Sequence, residues 1–412
     1  MHGGGIKLQI IANSPAPAHL LDVTRTVSRA GLRPTGIDRI ERAYIAHLAD
    51  DPAPLFGLVR TRLGFLLLDR TACRHLLTHC DRPMWQHSDL ISRLSRRKAP
   101  RRGETETGLR RMALDRSTGP GLTGMLKRHL PRGTVYLNTG QSNFDDRIIR
   151  ALRACDATRI AVYLHDTIPL DLPEVQTPTS RLAFKRFFDR VDQHADIVMC
   201  NSKQTKAEIL SHAAKLEEDV IHVLWPGQPS MTIGTAPIGP WTGKPFFVAI
   251  GTIEPRKNIG FLLDLWHAYT GTEDPHLVLC GRRGWMNKPV FDRLDARPRN
   301  VHELSDLDDS AMWALLEKSN GLLFPSRAEG FGYPAIEAAA LNVPVICTAL
   351  PVFQEVLGEY PVYASESARY LWHEHIEKLA QKRRDQTGDQ YRMYGGIAPQ
   401  WQAHFNKLFT AF

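Results

Sequence analysis

The chain has 412 residues, 43% of them apolar and 23% charged, with a formal charge of +8 and a pI near 9.2. That length exceeds one ordinary core and predicts two domains of a soluble globular protein, and no apolar run approaches the roughly 18 residues of a membrane span. Six cysteines scattered without a Cys-x2-Cys pair argue against a structural zinc site or a disulfide framework and fit a reducing cytoplasm.

The positive balance asks for an anionic partner: nucleic acid, membrane phospholipid or a nucleotide diphosphate. Met1-His2-Gly3 has neither the basic nor the apolar region of a signal peptide, so a cytoplasmic protein is expected.

Residues 20–24 read as a first strand. Arg33-Pro34-Thr35-Gly36-Ile37-Asp38-Arg39 then leads into an amphipathic helix from about Ile37 to Leu48. Gly36 at its start is either a plain turn glycine or a place where backbone N–H groups approach an anion. Two strands, 54–59 and 64–68, and a helix near 71–78 come next. The stretch 92–116 is rich in arginine and poor in periodic apolar residues, which predicts a basic loop. It is read either as a solvated loop or as a lip touching anionic lipid or a lipid-linked pyrophosphate. Nucleic acid is disfavoured, because no interleaved aromatics offer bases a stacking surface.

Val135–Asn138 is a short strand, 144–154 a helix, and Arg159–Leu164 a buried-type strand ending at His165-Asp166-Thr167-Ile168-Pro169. A His-Asp pair at a strand's carboxyl end stands where parallel sheets put their chemistry. His165 is expected to donate a hydrogen bond to a sugar hydroxyl or diphosphate oxygen, with Asp166 orienting it or accepting from an acceptor hydroxyl. A satisfied loop contact is the plain alternative. A helix over 180–193, a strand over 195–200, a helix over 203–212 capped by Asn201-Ser202 and a strand over 220–224 close this half.

Residues 223–243 hold no charge, four prolines and four glycines, and read as a linker. The expected division is 1–227, a linker at 228–243, a second domain at 244–395, and a helix in 396–412 that packs back on the first domain.

The second half opens with the strand Phe246–Ile250. The turn after it, Gly251-Thr252-Ile253-Glu254-Pro255-Arg256-Lys257-Asn258, leads to a helix from Ile259 to Tyr269 that Asn258 is expected to cap. A helix start with two adjacent cations suits a diphosphate. The strand 276–280 ends in Gly281-Arg282-Arg283-Gly284-Trp285, a loop suited to lie beside a nucleotide with Trp285 anchoring it by burial. A strand at 301–304 and a helix over 311–317 lead into residues 321–348, which read as strand, glycine-rich loop, helix, strand. Glu329-Gly330-Phe331-Gly332 form the loop, and Glu337 stands eight positions after Glu329, about a turn inside the helix. Helices near 351–355, 368–382 and 400–409 finish the chain.

TGIDR (35–39), LHDTIP (164–169), NSKQT (201–205), GTIEPRKN (251–258), CGRRGW (280–285) and FPSRAEGFGYPAIEAAALNVPVI (324–346) occur in this order. Together they resemble the retaining glycosyltransferases of family 4, particularly bacterial mannosyltransferases of polysaccharide assembly. The resemblance implies an α/β protein of the GT-B fold, two Rossmann-like domains facing across a cleft, with the nucleotide sugar held by the second and the acceptor by the first. By the same resemblance Glu337 hydrogen-bonds the ribose, and Glu329 meets the transferred sugar beside the Gly330–Gly332 backbone. Lys257 with Arg256 clamps the diphosphate, His165 lies by the transferred sugar, and Gly36 lies under the phosphates. Many relatives carry an arginine where this chain has Thr252, so Arg256 is expected to compensate or the phosphate grip to be weaker.

The resemblance therefore implies a hexosyl transferase using a nucleotide-diphosphate sugar, GDP-mannose favoured, with no cofactor, no metal and no nucleic acid. Its acceptor is a saccharide or lipid-linked saccharide, with a peripheral contact at the inner face of the membrane. An epimerase or inverting transferase on the same fold, and a catalytically idle scaffold module, remain the alternatives.

Overall fold

A computed structural model describes residues 15–80, 100–156, 158–381 and 399–412. Two sheets organise them. The first contains β1 (His19–Asp22), β2 (Leu55–Arg60), β3 (Phe65–Leu68), β4 (Asp115–Ser117), β5 (Val135–Asn138), β6 (Arg159–Leu164), β7 (Ile197–Cys200) and β8 (Ile221–Val223), in the order β4-β3-β2-β1-β5-β6-β7-β8. It is parallel except at the β2–β3 and β3–β4 pairs. The second contains β9 (Phe246–Ile250), β10 (His276–Cys280), β11 (Val301–Leu304), β12 (Gly321–Phe324), β13 (Val345–Cys347) and β14 (Val362–Tyr363). Its order is β11-β10-β9-β12-β13-β14, parallel throughout.

The strand sequences explain why both sheets are covered on two faces. RIAVYL and FFVAI are nearly continuous apolar runs, and all four residues of HLLD are buried, as strands covered on both sides must be. Their alternate residues serve different cores. Leu21 packs with Tyr44 and Phe405 on one face of the first sheet while Leu20 packs with Ile148 and Val162 on the other. In the second sheet Val248 faces Phe324 and Phe353, and Phe247 faces Trp266 and Trp372.

The helix Trp401–Thr410 belongs to the first sheet's core. The Phe405 ring stacks on His47 at 3.7 Å, His404 Nε2 lies 2.9 Å from the Tyr44 hydroxyl, and Lys407 donates to the Val223 carbonyl at 2.7 Å. The last described helix therefore packs on the first domain rather than the second.

Three expectations need correction. Residues 100–116 are not a loop: Pro100–Met112 is a helix and 115–117 is β4, while 92–99 lie outside the described residues. The helix escapes an apolar-periodicity reading because Leu109 is its one fully buried large apolar side chain. Its other buried side chains are polar: the Thr105 and Thr107 hydroxyls donate to carbonyls four residues back, and Glu106 pairs with Arg102 and Arg110. Asn258 does not cap its helix with its side chain. It takes the left-handed conformation, φ 54°, that joins the single turn Pro255–Lys257 to the helix Ile259–Trp266. Trp285 is not anchored by burial; it is 39% exposed, and its indole N–H donates to the Val175 carbonyl of the first domain at 3.0 Å.

No helix among the described residues is long and apolar enough to cross a membrane.

Candidate active site

In a doubly wound sheet a crevice opens where strand order reverses, at the carboxyl ends of the strands. In the second sheet the reversal falls between β9 and β12. After β9 the chain passes Gly251, whose φ of +136° only glycine holds easily, and folds Arg256 and Lys257 into one tight turn. After β12 it runs through Pro325 and Ser326 to Glu329 and the helix Tyr333–Ala340. The two loops are tied by the Arg327 N–H donating to the Arg256 carbonyl at 2.8 Å.

Between them lies a buried ion cluster. Lys257 Nζ donates to Glu329 Oε1, and Arg256 Nη1 stands 2.9 Å from Glu329 Oε2. Arg256 also pairs with Glu254 at 2.6 Å and donates to the Ala328 carbonyl at 3.0 Å. Lys257 Nζ sits 4.5 Å over the Phe324 ring. Burial pushes the Glu329 carboxyl up, but the two cations outweigh it and hold it at about 2. Glu329 is thus a fixed anion, unsuited to carry a proton at neutral pH.

Across the cleft stand His165 and Asp166, at the end of β6. His165 Nε2 lies 2.7 Å from the Thr139 carbonyl. A carbonyl only accepts, so Nε2 carries the proton. Burial draws the imidazole down to about 4, against that bond, which keeps the ring neutral. The remaining nitrogen, Nδ1, is therefore an acceptor. The expected donation from His165 is corrected accordingly: its N–H is taken by the Thr139 carbonyl, and only an acceptor nitrogen is left to offer. Its orienting partner is Thr139, not Asp166. Asp166 is partly exposed, its Oδ1 accepts from the Ile168 N–H at 3.2 Å, and burial pushes its carboxyl up with Arg256 opposing.

The two loops touch at Gly330. A Cβ there would stand 2.0 Å from the His165 carbonyl oxygen, so only glycine lets the Glu329 loop come this close to β6. Asn201 Nδ2 donates to that same carbonyl at 2.6 Å, and the Ser202 hydroxyl donates to the Gly330 carbonyl at 3.1 Å.

Gly36 is the first residue of the helix Gly36–Asp50, whose start is closed by a reciprocal Thr35–Asp38 capping box. Three residues on, Arg39 reaches over the cleft. Its Nη1 donates to Glu337 Oε1 at 2.5 Å and its Nη2 to Asp309 Oδ2 at 2.8 Å. Burial pushes the Glu337 carboxyl up and Arg39 opposes it.

One cavity of about 710 Å³ joins these pieces, a size suited to a ligand larger than a single sugar. His165, Asp166, Gly36, Thr252, Arg256, Lys257, Arg282, Glu329, Gly330, Phe331, Gly332 and Glu337 all line it. The sequence reading missed Arg25, Arg29, Arg33 and Arg39, which line it from the first domain. Arg25 and Arg29 both pair with Asp38 at 2.7 Å, and Arg33 donates to Asp309 at 3.3 Å. The one signal for Arg39 was its place one helical step after Gly36; its partners are some 300 positions away in sequence. Among the described residues no cluster of three or more His, Cys, Asp or Glu side chains has the arrangement of a metal site.

Residues 236–392 match the family described as glycosyl transferases group 1. Among curated proteins the chain is 29% identical over 248 residues to the serotype-specific mannosyltransferase WbdA of Escherichia coli, covering 53% of this chain and 29% of WbdA. It is 31% identical over 140 residues to the O-antigen chain mannosyltransferase RfbU of Salmonella typhimurium, covering 33% of this chain and 38% of RfbU. The chain thus spans well under half the length of these relatives. Among solved structures it is similar to Anabaena Alr3699/HepE in complex with UDP-glucose, with a TM-score of 0.57 at 13% identity over 95% of this chain and 94% of that one. It is also similar to WaaG, a glycosyltransferase involved in lipopolysaccharide biosynthesis, with a TM-score of 0.52 at 12% identity over the same shares. The architecture of two facing sheets is that of the GT-B fold.

Proposed function

We propose that this chain, whose second half is a group 1 glycosyl transferase domain, transfers a hexose from a nucleotide-diphosphate sugar to a saccharide or lipid-linked saccharide during assembly of a bacterial surface polysaccharide. Mannose, carried by GDP, is the favoured sugar, in keeping with the mannosyltransferases it is similar to. The observation that carries the reading is the Lys257–Glu329–Arg256 ion cluster sharing one cavity with His165 and Glu337.

In this reading the diphosphate lies against Lys257, Arg256 and the N-terminus of the helix that begins at Gly36. These supply the positive charge that a departing diphosphate needs as the sugar gains oxocarbenium character. The C1–phosphate bond breaks while the acceptor oxygen attacks from the same face, and the acceptor's proton passes to the departing phosphate oxygen. Configuration is retained, and the chain's own cations make a metal unnecessary. Glu329, already an anion, positions sugar hydroxyls, His165 Nδ1 accepts from one of them, and Glu337 accepts from the ribose. The basic wall of Arg25, Arg29 and Arg33 lies on the first-domain side of the cavity, where an acceptor carrying phosphate would approach. A peripheral contact with anionic lipid at the inner membrane face belongs to the same reading.

The test pairs GDP-mannose, UDP-glucose and other GDP- and UDP-sugars with lipid-linked saccharide acceptors, with and without EDTA. Turnover that survives chelation, with an α-configured product from an α-configured donor by NMR, is the expected result. An inverted product overturns the mechanism, and an absence of both transfer and donor hydrolysis with every donor overturns the activity.

A further inference from the structure

Glu337 sits on a helix made otherwise of apolar residues and tyrosine, and its side chain is 1% exposed. A carboxylate so enclosed either acquires a cation or takes up a proton. Among the described residues the cation paired with it is Arg39, which comes from the other domain. Arg39 is held on several sides at once. One guanidinium nitrogen is on Glu337 and the other on Asp309, and the plane lies 5.9 Å from the Trp313 ring centre and 5.8 Å from that of Tyr333. Asp309 is itself steadied by Arg33. A planar fork that bridges two carboxylates is a role lysine does not reproduce.

The contact leaves Glu337 room to work. A carboxylate has about four lone-pair sites; Arg39 occupies one of them through Nη1, and the Trp313 indole stands close enough to act on the carboxyl as well. What is left serves hydroxyl donors in the cavity that both residues line. We propose that Arg39, from the first domain, is a positioning residue of the nucleoside subsite: it holds the Glu337 carboxylate as an aimed anion, so that ribose hydroxyls are gripped fully only while the two domains are together. This rests on the reading that Glu337 accepts from the ribose. Its consequence is that the donor site is shared between domains.

The test is calorimetric binding of GDP and UDP and of their 2′,3′-dideoxy analogues to the native chain, Arg39→Gln, Arg39→Lys and Glu337→Gln. The readout is the ratio of dideoxy to ribo dissociation constants, which a merely structural defect would leave unchanged because it weakens both ligands alike. The native chain is expected to prefer the ribo form at least tenfold. Glu337→Gln and Arg39→Gln are both expected to bring the ratio close to one, with Arg39→Lys between. A ratio that collapses in Glu337→Gln but stays native in both Arg39 variants overturns this inference and leaves the ribose reading standing. A ratio near one in the native chain, or unchanged in Glu337→Gln, overturns the ribose reading itself. Should Arg39→Gln fail to fold, Arg39→Lys carries the test, a native ratio overturning the inference and a reduced one supporting it.

Discussion

Both sheets reverse their strand order beside their first strand, between β1 and β5 in one and between β9 and β12 in the other, and both bury carboxyl groups there. The two reversals treat those groups in opposite ways. At the first, Asp22 accepts from Thr24 N–H at 3.0 Å and from Asn143 Nδ2 at 2.7 Å, and Glu41 accepts from the Thr26 N–H at 2.7 Å and its hydroxyl at 2.6 Å. These partners are neutral, and the nearby Arg25 is spent on Asp38. Burial therefore wins, pushing Asp22 up to about 7 and Glu41 up to about 8. At the second, Glu329 is also buried but meets Arg256 and Lys257, and is held at about 2. Topology thus supplies the crevice, and the loop after the first strand decides whether it is charged. The segment after β1 also carries arginines, but Arg25 and Arg29 are turned onto Asp38 rather than onto Asp22 or Glu41, whereas Arg256 and Lys257 meet Glu329 directly.

The largest expected effect comes from breaking the charged side. Lys257→Met removes the ammonium that meets both Glu329 and, in the proposed mechanism, the diphosphate. Steady-state transfer assays should show kcat/KM falling by about 100- to 1000-fold. Asp22→Asn, which swaps a carboxyl that burial pushes up to about 7 for an amide of equal size, should leave kcat/KM within about threefold. If Asp22→Asn costs as much as Lys257→Met, the contrast between the two reversals has no functional meaning.

Next comes the seam between them. Gly330→Ala places a Cβ 2.0 Å from the His165 carbonyl, an overlap that only a shift of one loop relieves. We expect turnover to drop by about 10- to 100-fold, since a displacement of about an ångström suffices for that. Stability should fall by about 1–3 kcal/mol. Circular dichroism and thermal melts beside the transfer assay separate the two. Native turnover in Gly330→Ala would mean that the Glu329 loop and the His165 turn need not touch.

The contrast also has a pH signature. Asp22 and Glu41 keep protons in the folded chain that the unfolded chain releases above about pH 4, so folding is favoured below that pH. That stability is lost as pH rises through the folded values of about 7 and 8. Glu329 works the other way: its contribution is present above its unfolded value of 4.5 and disappears as pH falls toward 2. Denaturant titrations at pH 5 and pH 8 should show the first domain losing on the order of a few kcal/mol at the higher pH. Asp22→Asn with Glu41→Gln should flatten that slope, and a slope that survives the double substitution rules out these two groups as its source.

Much of the second domain could be read from its sequence, for a physical reason. Buried parallel strands are short apolar runs that end at glycine or proline, so Phe246–Ile250, His276–Cys280 and Gly321–Phe324 stand out. Glu329, Glu337 and Lys257 stand in the loops and the helix that come after such strands. The helix Pro100–Met112 gave no such signal, because its buried face is Thr105, Glu106 and Thr107 beside Leu109 rather than an apolar stripe. Arg39 was hidden differently: the residue was in plain view, but its meaning lies in partners 270 and 298 positions away. The protonation of His165 was also beyond reach, because the Thr139 carbonyl that sets its tautomer comes from a neighbouring strand's loop.

The smallest expected effect sharpens the comparison at its edge. Arg282 lines the same cavity as Lys257, but its side chain is 61% exposed and pairs with a still more exposed Asp306 at 2.8 Å. A charge in that setting is screened by water and salt and contributes little. Arg282→Ala should weaken nucleotide binding by about two- to threefold at low salt and not measurably at about 0.5 M salt, as isothermal calorimetry would show. A tenfold loss that persists in salt would mean that the 281–285 loop folds inward over the ligand, moving Arg282 out of water and into the same enclosed, cation-rich region as Lys257. Trp285, already bonded across the cleft to Val175, would then be the hinge of that movement, and releasing it with Trp285→Ala should return the Arg282 effect to its small, salt-sensitive size.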